Sequence, residues 1–159
     1  MVKLRFLIFK INRNIYKKCF LDILMGEKPA FRIVLTCAII KDGRVLLGKR
    51  SEDEDVLPGC WGLPGGNLTT IGNVQDIIEK ELKREILEEI GVEIDNLKYL
   101  ESHSHEKQII NMCFTADIIS GEPEALDETE EVKWFTFEEV KELKLTPHTI
   151  ERLEKIFNH

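Results

Sequence analysis

The chain has 159 residues, enough for one domain with a full core, and its 43% hydrophobic and 32% charged content is ordinary for a globular protein. The net charge of -7 hides a split: residues 1–20 carry six basic side chains and no acid, leaving about 13 net negative charges on the remainder. An acidic body repels nucleic-acid backbones, which argues against sequence-specific nucleic-acid binding, and the lack of an uninterrupted apolar run of membrane-spanning length argues against a spanning protein.

Residues 1–28 read as a basic, apolar extension and residues 29–159 as the domain proper. The arm mixes Leu4, Phe6, Leu7, Ile8 and Phe9 with Lys3, Arg5 and Lys10, too interrupted for a signal peptide. It is expected to pack on the domain or across a homodimer, rather than to rest on an anionic membrane. Cys19, Cys37, Cys60 and Cys113 form no C-x-x-C pair and read as reduced thiols; the expected location is the cytoplasm.

Phe31–Ile40 is a β-branched run that ends at Asp42-Gly43, a strong hairpin signal, and Arg44–Arg50 is the return strand. Lys49 and Arg50 at its end are either solvated cations or phosphate contacts. Ser51–Val56 reads as an acidic surface loop. Pro58 to Gly66 follows, with glycines that let the backbone turn tightly and approach a ligand. Trp61 within it is a core anchor or a stacking platform for a base.

A helix is expected from Asn73, as N-cap, to Ile90, with Gly91 as its stop. Val74, Ile77, Ile78, Leu82, Ile86 and Ile90 recur every three or four residues as a core-facing stripe. Glu85, Glu88 and Glu89, at i, i+3 and i+4, share one face. At about 100° per residue they fall on the side of Val74, Ile77 and Ile78, whereas a merely solvated charge run would lie opposite the stripe. Three hard oxygen donors converging beside a core suit Mg²⁺ or Mn²⁺, which in turn suits a phosphate, and Arg84 is placed to orient Glu88.

Arg84 to Val92 reads R-E-I-L-E-E-I-G-V, which resembles the second half of the Nudix box, and Leu63-Pro64-Gly65-Gly66 resembles its usual lead-in. Counting back from Arg84, the box's first glutamate falls on Asp76 and its opening glycine on Thr70, so Asn67–Gln75 resembles a loop carrying a four-residue insertion. The resemblance implies an α/β/α sandwich with a mixed β-sheet and hydrolysis of a nucleoside diphosphate linked to another group. It implies a metal held by Glu85, Glu88, Glu89 and the Gly65 carbonyl, with Gly66 and Arg50 near a small-molecule nucleotide. An acid before the last strand, Glu128, Glu130 or Glu131, would be the general base; Glu130 is the choice carried forward.

The Pro58-Gly59-x-Trp61-x-Leu63-Pro64-Gly65-Gly66 run resembles MutT-like triphosphate pyrophosphatases, and the proline that follows the box in many ADP-ribose pyrophosphatases is absent. A nucleoside triphosphate giving monophosphate and pyrophosphate is therefore the expected reaction. ADP-ribose or a nucleotide sugar is the alternative substrate, and a non-catalytic nucleotide-binding module the alternative class. Further on, Leu97–Leu100 and Gln108–Ser120 read as strands, with His103 and His105 between them as a weaker nitrogen-ligand pair. Val132–Phe135 reads as the last strand, and Phe137–Leu143 and Thr146–Phe157 as helices.

Overall fold

The computed structural model describes residues 31–105, 108–127 and 129–158, with His105 described for its backbone alone; the expected 1–28 extension and Glu128 lie outside the described residues. The elements are β1 (Arg32–Lys41), β2 (Arg44–Arg50), β3 (Trp61–Gly62), α1 (Ile77–Ile90), β4 (Glu93–His105), β5 (Ile109–Ser120), β6 (Thr129–Thr136), α2 (Phe137–Val140) and α3 (Thr149–Phe157). The expected hairpin is present. Asp42 and Gly43 both have positive φ, at 51° and 70°, as a tight turn matched to strand twist requires.

The sheet is mixed. β1 runs parallel to β5 from Arg32↔Ile109 to Ile39↔Ala116, and β5 pairs antiparallel with β4. β2 pairs antiparallel with β6 along its length and with β3 near its end, but meets β1 only next to the turn, at Ile40↔Val45 and Lys41↔Arg44. The two strands of the hairpin therefore part company, and the space between them is where the cavity described below opens.

Alternation along β1 sorts its side chains into two layers. Leu35, Cys37 and Ile39 face α1 and pack with Leu82, Ile86, Ile90, Val92 and Ile94. Ala38 faces the other way, with Val45, Leu47, Trp61 and Leu63 against Val140 of α2 and Leu153 of α3. Helices on both faces of a mixed sheet make the α/β/α sandwich expected from the sequence. Each fully buried Leu or Ile in these layers contributes about 1.5–3 kcal/mol of transfer free energy.

α1 begins at Ile77, four residues later than expected. Asn73 is not its cap. Asp76 precedes the helix in the left-handed region, φ 56°, with no side-chain capping bond, so the inserted residues go into the loop and not into an extra helical turn. The stop is as expected: Gly91 adopts φ 70° and its amide reaches the Leu87 carbonyl at 3.0 Å, a conformation that costs a residue with a Cβ about 1 kcal/mol or more.

β4 is longer than the four residues read from the sequence, because register shifts between Asp95 and Lys98 and between Tyr99 and Glu101 interrupt its alternation. β6 starts early enough to take in Glu130 and Glu131. α2 is a single turn whose Thr136–Glu139 capping box closes it, and α3 starts at Thr149, after Pro147. Among the described residues no helix is long and apolar enough to cross a membrane.

Candidate active site

Where β2 leaves β1, residues 64–68 take its place as a short antiparallel edge. The Cys37 amide donates to the Pro64 carbonyl at 2.9 Å, Leu35 to Gly66 at 2.8 Å, and Leu68 to Ile33 at 2.9 Å. In such pairing alternate residues bond the neighbour and those between point away. Gly65 is between, and its amide donates outward to Glu89 Oε2 at 2.7 Å. The fit admits no side chain at either glycine. A Cβ on Gly65, where φ is 140°, would lie 2.1 Å from the Leu35 carbonyl oxygen, and one on Gly66 would lie 2.0 Å from Glu85 Oε2. The carboxylates of Glu85 and Glu89 thus border the Gly65–Gly66 backbone.

α1 supplies those carboxylates because its Leu82–Ile86–Ile90 ridge is fully buried. The acids flank this ridge on the side of Ile77 and Ile78, as the helical projection suggested. Glu81 is buried, Glu85 and Glu89 half-buried, and Glu88 exposed. Of the three carboxylates expected to hold a metal, Glu85 and Glu89 border the glycine backbone and Glu88 stands at the solvent edge. Among the described residues no three acidic, thiol or imidazole groups come together as a metal-ligating set. Arg84 lies among them instead, donating to Glu81, Glu85 and Glu88.

Charge balance on this face is uneven. Hydrogen bonds from Arg84, Thr70 and Thr69 hold the Glu81 carboxyl well below the usual carboxylate range. Burial pushes the Glu85 carboxyl up, and Arg84 only partly offsets it. Lys83, the nearest other cation on the helix, turns away to Glu79 and Asp95. Among the described residues Glu81, Glu85 and Glu88 therefore share one guanidinium, with Glu89 alongside at the Gly65 amide. All their donor atoms are oxygens, the chemistry a hard divalent cation takes.

Beside this edge lie two adjoining cavities. The smaller, about 360 Å³, is lined by Gly65, Gly66, Glu89, Arg50, Glu54 and Thr129. It shares Arg32, Val34, Thr36 and Asn111 with a larger one of about 510 Å³, whose walls are mostly apolar, including Leu57, Leu63 and Pro147. That volume suits a small organic ligand. At its polar end the Asn111 carboxamide oxygen accepts from Arg152 Nη2 at 2.9 Å and Thr36 Oγ1 at 3.2 Å, which fixes the amide and leaves its NH₂ as a donor. Arg152, 2% exposed, is held by Glu101 at 3.1 Å, and Glu101 also accepts from Lys155 and bonds His103.

This arrangement has counterparts among known proteins. The NUDIX domain profile matches residues 30–156. The chain belongs to the NUDIX family. It is 31% identical over 111 residues to an ADP-ribose pyrophosphatase of Methanocaldococcus jannaschii, covering 66% of this chain and 62% of that protein. It is 39% identical over 61 residues to the nucleoside triphosphatase NudI of Escherichia coli, covering 38% of this chain and 40% of that one. The chain thus spans less than two thirds of the length of either curated relative. Among solved structures, a MutT NUDIX hydrolase from Burkholderia pseudomallei superposes with a TM-score of 0.70 at 30% identity, over 80% of this chain and 99% of that one.

Within the NUDIX frame the expected residues fare differently. Arg84, Glu85, Glu89, Gly65 and Gly66 come together, with Glu88 at the solvent edge of the group. Arg50 borders the smaller cavity while pairing with Glu54 at 2.7 Å and the Val56 carbonyl at 2.8 Å. Trp61 is corrected to a core residue. It is 8% exposed and its ring meets Phe135 edge-on at 4.9 Å, so it offers no face to a base.

Glu130 lies on β6 rather than in the acidic loop expected for it, pairs with Lys49 at 3.0 Å, and is not among the residues lining either cavity; Glu131 pairs with Lys133. His103 bonds Glu101 and stacks on His148 at 4.5 Å, which accounts for it without a metal.

Glu54, Glu81, Asn111 and Arg152 were not singled out from the sequence. Only Glu81 left a local signal, its i, i+3 spacing to Arg84. The others depend on pairings across the fold.

Proposed function

We propose that residues 29–159 form a divalent-cation-dependent hydrolase that splits a nucleoside triphosphate into monophosphate and pyrophosphate, with a cytoplasmic nucleotide pool as its source. The observation that carries this reading is the placement of the Glu85 and Glu89 carboxylates on the Gly65–Gly66 backbone, beside the smaller cavity that adjoins one of nucleoside size. The all-oxygen donor set fits Mg²⁺ or Mn²⁺: Glu85, Glu88, Glu89 and the Gly65 carbonyl would hold it. A bound divalent cation neutralises phosphate charge and lowers the pKa of bound water.

The remaining roles belong to this chain's own side chains. Arg84 restrains the carboxylates against one another while the cation is absent and orients them when it is bound. Arg50 and Arg32 at the cavity rim supply positive charge for the phosphates on an otherwise acidic body. The apolar walls take the base and sugar, and the Asn111 NH₂ donates to an acceptor on the base edge. Glu54 and Glu89 are the carboxylates lining the cavity among the described residues. With Glu89 assigned to the cation, Glu54, which pairs with Arg50 at the cavity wall, is the residue we assign to accept the proton of the attacking water, in the place expected of Glu130.

Incubation with a nucleotide panel plus Mg²⁺, followed by chromatography and a pyrophosphate assay, tests the reading. Triphosphates should yield monophosphate and pyrophosphate. Glu54→Gln should lower kcat about 100-fold, whereas Glu130→Gln should stay within about threefold. The similarity to the archaeal ADP-ribose pyrophosphatase favours a second reading, in which ADP-ribose yields AMP and ribose phosphate. Turnover of ADP-ribose alone would select it, and tight binding without turnover of any substrate would select a non-catalytic module.

A further inference from the structure

Glu81 is 3% exposed, yet it carries a charge and lies one position before the fully buried Leu82. A buried carboxylate persists only when its oxygens are well supplied with donors. Here they come from two directions. From the inserted loop, the Thr69 amide and hydroxyl reach Oε2 at 2.9 and 3.2 Å, the Thr70 amide reaches Oε2 at 3.2 Å, and the Thr70 hydroxyl reaches Oε1 at 2.6 Å. From the helix, Arg84 Nε reaches Oε1 at 3.2 Å and Nη2 reaches Oε2 at 3.1 Å. Arg84 Nη2 also touches the Thr69 hydroxyl at 3.3 Å, so loop, carboxylate and guanidinium close a ring. Asp76, which stands at the box position of the first glutamate, is exposed and makes no side-chain capping bond.

We propose that Glu81 is a positioning residue: it locks the guanidinium of Arg84 to the Thr69–Thr70 turn, so that Arg84 holds Glu85 beside the Gly65–Gly66 backbone and Glu88 at the solvent edge of the same group, in the arrangement a divalent cation requires. The geometry explains how the chain accommodates four extra loop residues. An insertion of that length would loosen the segment joining the glycine edge to α1. Glu81 ties it down from the helix side, using two backbone amides and two hydroxyls that the loop itself provides. Arg84 then needs no partner at residue 76. The carboxylate–guanidinium pair is the hinge of the arrangement, since each Arg84 nitrogen that holds Glu81 constrains the ones that reach Glu85 and Glu88. The role rests on the metal-dependent reading above, and its test separates the two.

The experiment compares Mn²⁺ binding, by calorimetry on nucleotide-free protein, in the parent chain, Glu81→Gln, Thr70→Val and Glu88→Gln, with amide exchange at Thr69 and Thr70 followed by NMR without metal. Glu81→Gln keeps the shape but places an NH₂ against donors. It should weaken Mn²⁺ binding about 10–100-fold and speed exchange at both threonine amides at least about tenfold, with KM for nucleotide within about threefold of the parent. Thr70→Val, which removes one hydroxyl and leaves the charge, should shift both readings in the same direction by a smaller factor. Loss of Mn²⁺ binding in Glu88→Gln with parent-like binding in Glu81→Gln and Thr70→Val would overturn the positioning role alone. Parent-like binding in all three variants, or no binding by the parent, would overturn the metal reading and this role with it.

Discussion

Glu81 on α1 and Glu101 on β4 are 3% and 8% exposed, and each is gripped by an arginine, Arg84 and Arg152 respectively. Around Glu101 a single carboxylate meets Arg152, Lys155 and His103, so its charge is answered inside the protein. Around Arg84 the ratio is inverted, with Glu81, Glu85 and Glu88 on one guanidinium and Glu89 alongside on a backbone amide. A buried ion pair by itself is weak evidence of either stability or function. The sign of the charge left over is more informative. Among the described residues the β4 carboxylate is fully answered, whereas the α1 carboxylates outnumber the guanidinium they share, and the proposed metal-dependent reading assigns the balance to a cation from solution.

The largest expected effect separates the two clusters by activity. Glu88→Gln removes an exposed carboxylate, so kcat should fall by about 100-fold or more while unfolding free energy stays within about 0.5 kcal/mol of the parent. Steady-state kinetics with urea unfolding reads both, and near-parental turnover would break the assignment. Glu101→Gln should do the reverse. Removing one partner of a buried network costs about 3–5 kcal/mol, because Arg152 is left buried with too few acceptors, while Mn²⁺ affinity stays within about twofold.

The same cluster predicts a pH dependence. Burial works to raise the Glu101 carboxyl, but hydrogen bonds from Lys155, Arg152 and His103 outweigh it and hold the group at about 2. Its folded pKa lies below the unfolded value of about 4.3, so the stabilisation is fully present above that pH and is lost as pH falls toward about 2. Unfolding free energy should decline across that window, and the Glu101→Gln variant should show a shallower decline. Glu81, Asp95 and Glu139, also lowered, contribute to the remaining slope. Parallel curves for parent and variant would refute the assignment.

What could be read along the chain follows from the range of the interactions. The Asp42-Gly43 turn, the α1 ridge from Leu82 to Ile90 and the Gly91 stop rest on neighbours within a few residues, and all are present. α1 starts at Ile77 although Asn73 is a good cap locally, and the loop before it is tied by Thr69 and Thr70 reaching across to Glu81. Trp61 sits in the core because it meets Phe135, which no local pattern announces. Likewise Glu130 falls at the register shift between Lys49 and Arg50 where β2 pairs with β6, while Glu54, on the loop after β2, lines the cavity. The acidic face was legible as spacing; the guanidinium at its centre, and the distribution of the carboxylates around it, depended on the folded arrangement.

The smallest effect concerns the point where the β4 cluster touches function. Arg152 holds Glu101 with Nε and the Asn111 oxygen with Nη2, so a network whose one carboxylate is already answered is used to aim one amide. If that amide donates to a base, Asn111→Leu should lower kcat/KM about tenfold for the preferred nucleotide and less for the others, since one neutral hydrogen bond is worth about 1 kcal/mol. Metal affinity should not change, because Asn111 stands on β5 and the carboxylates on α1. Arg152→Met should reproduce the loss of base preference and add a loss of stability that Asn111→Leu lacks. A uniform decrease across all nucleotides in Asn111→Leu would reduce Asn111 to part of the scaffold, and the β4 cluster would then be architecture throughout.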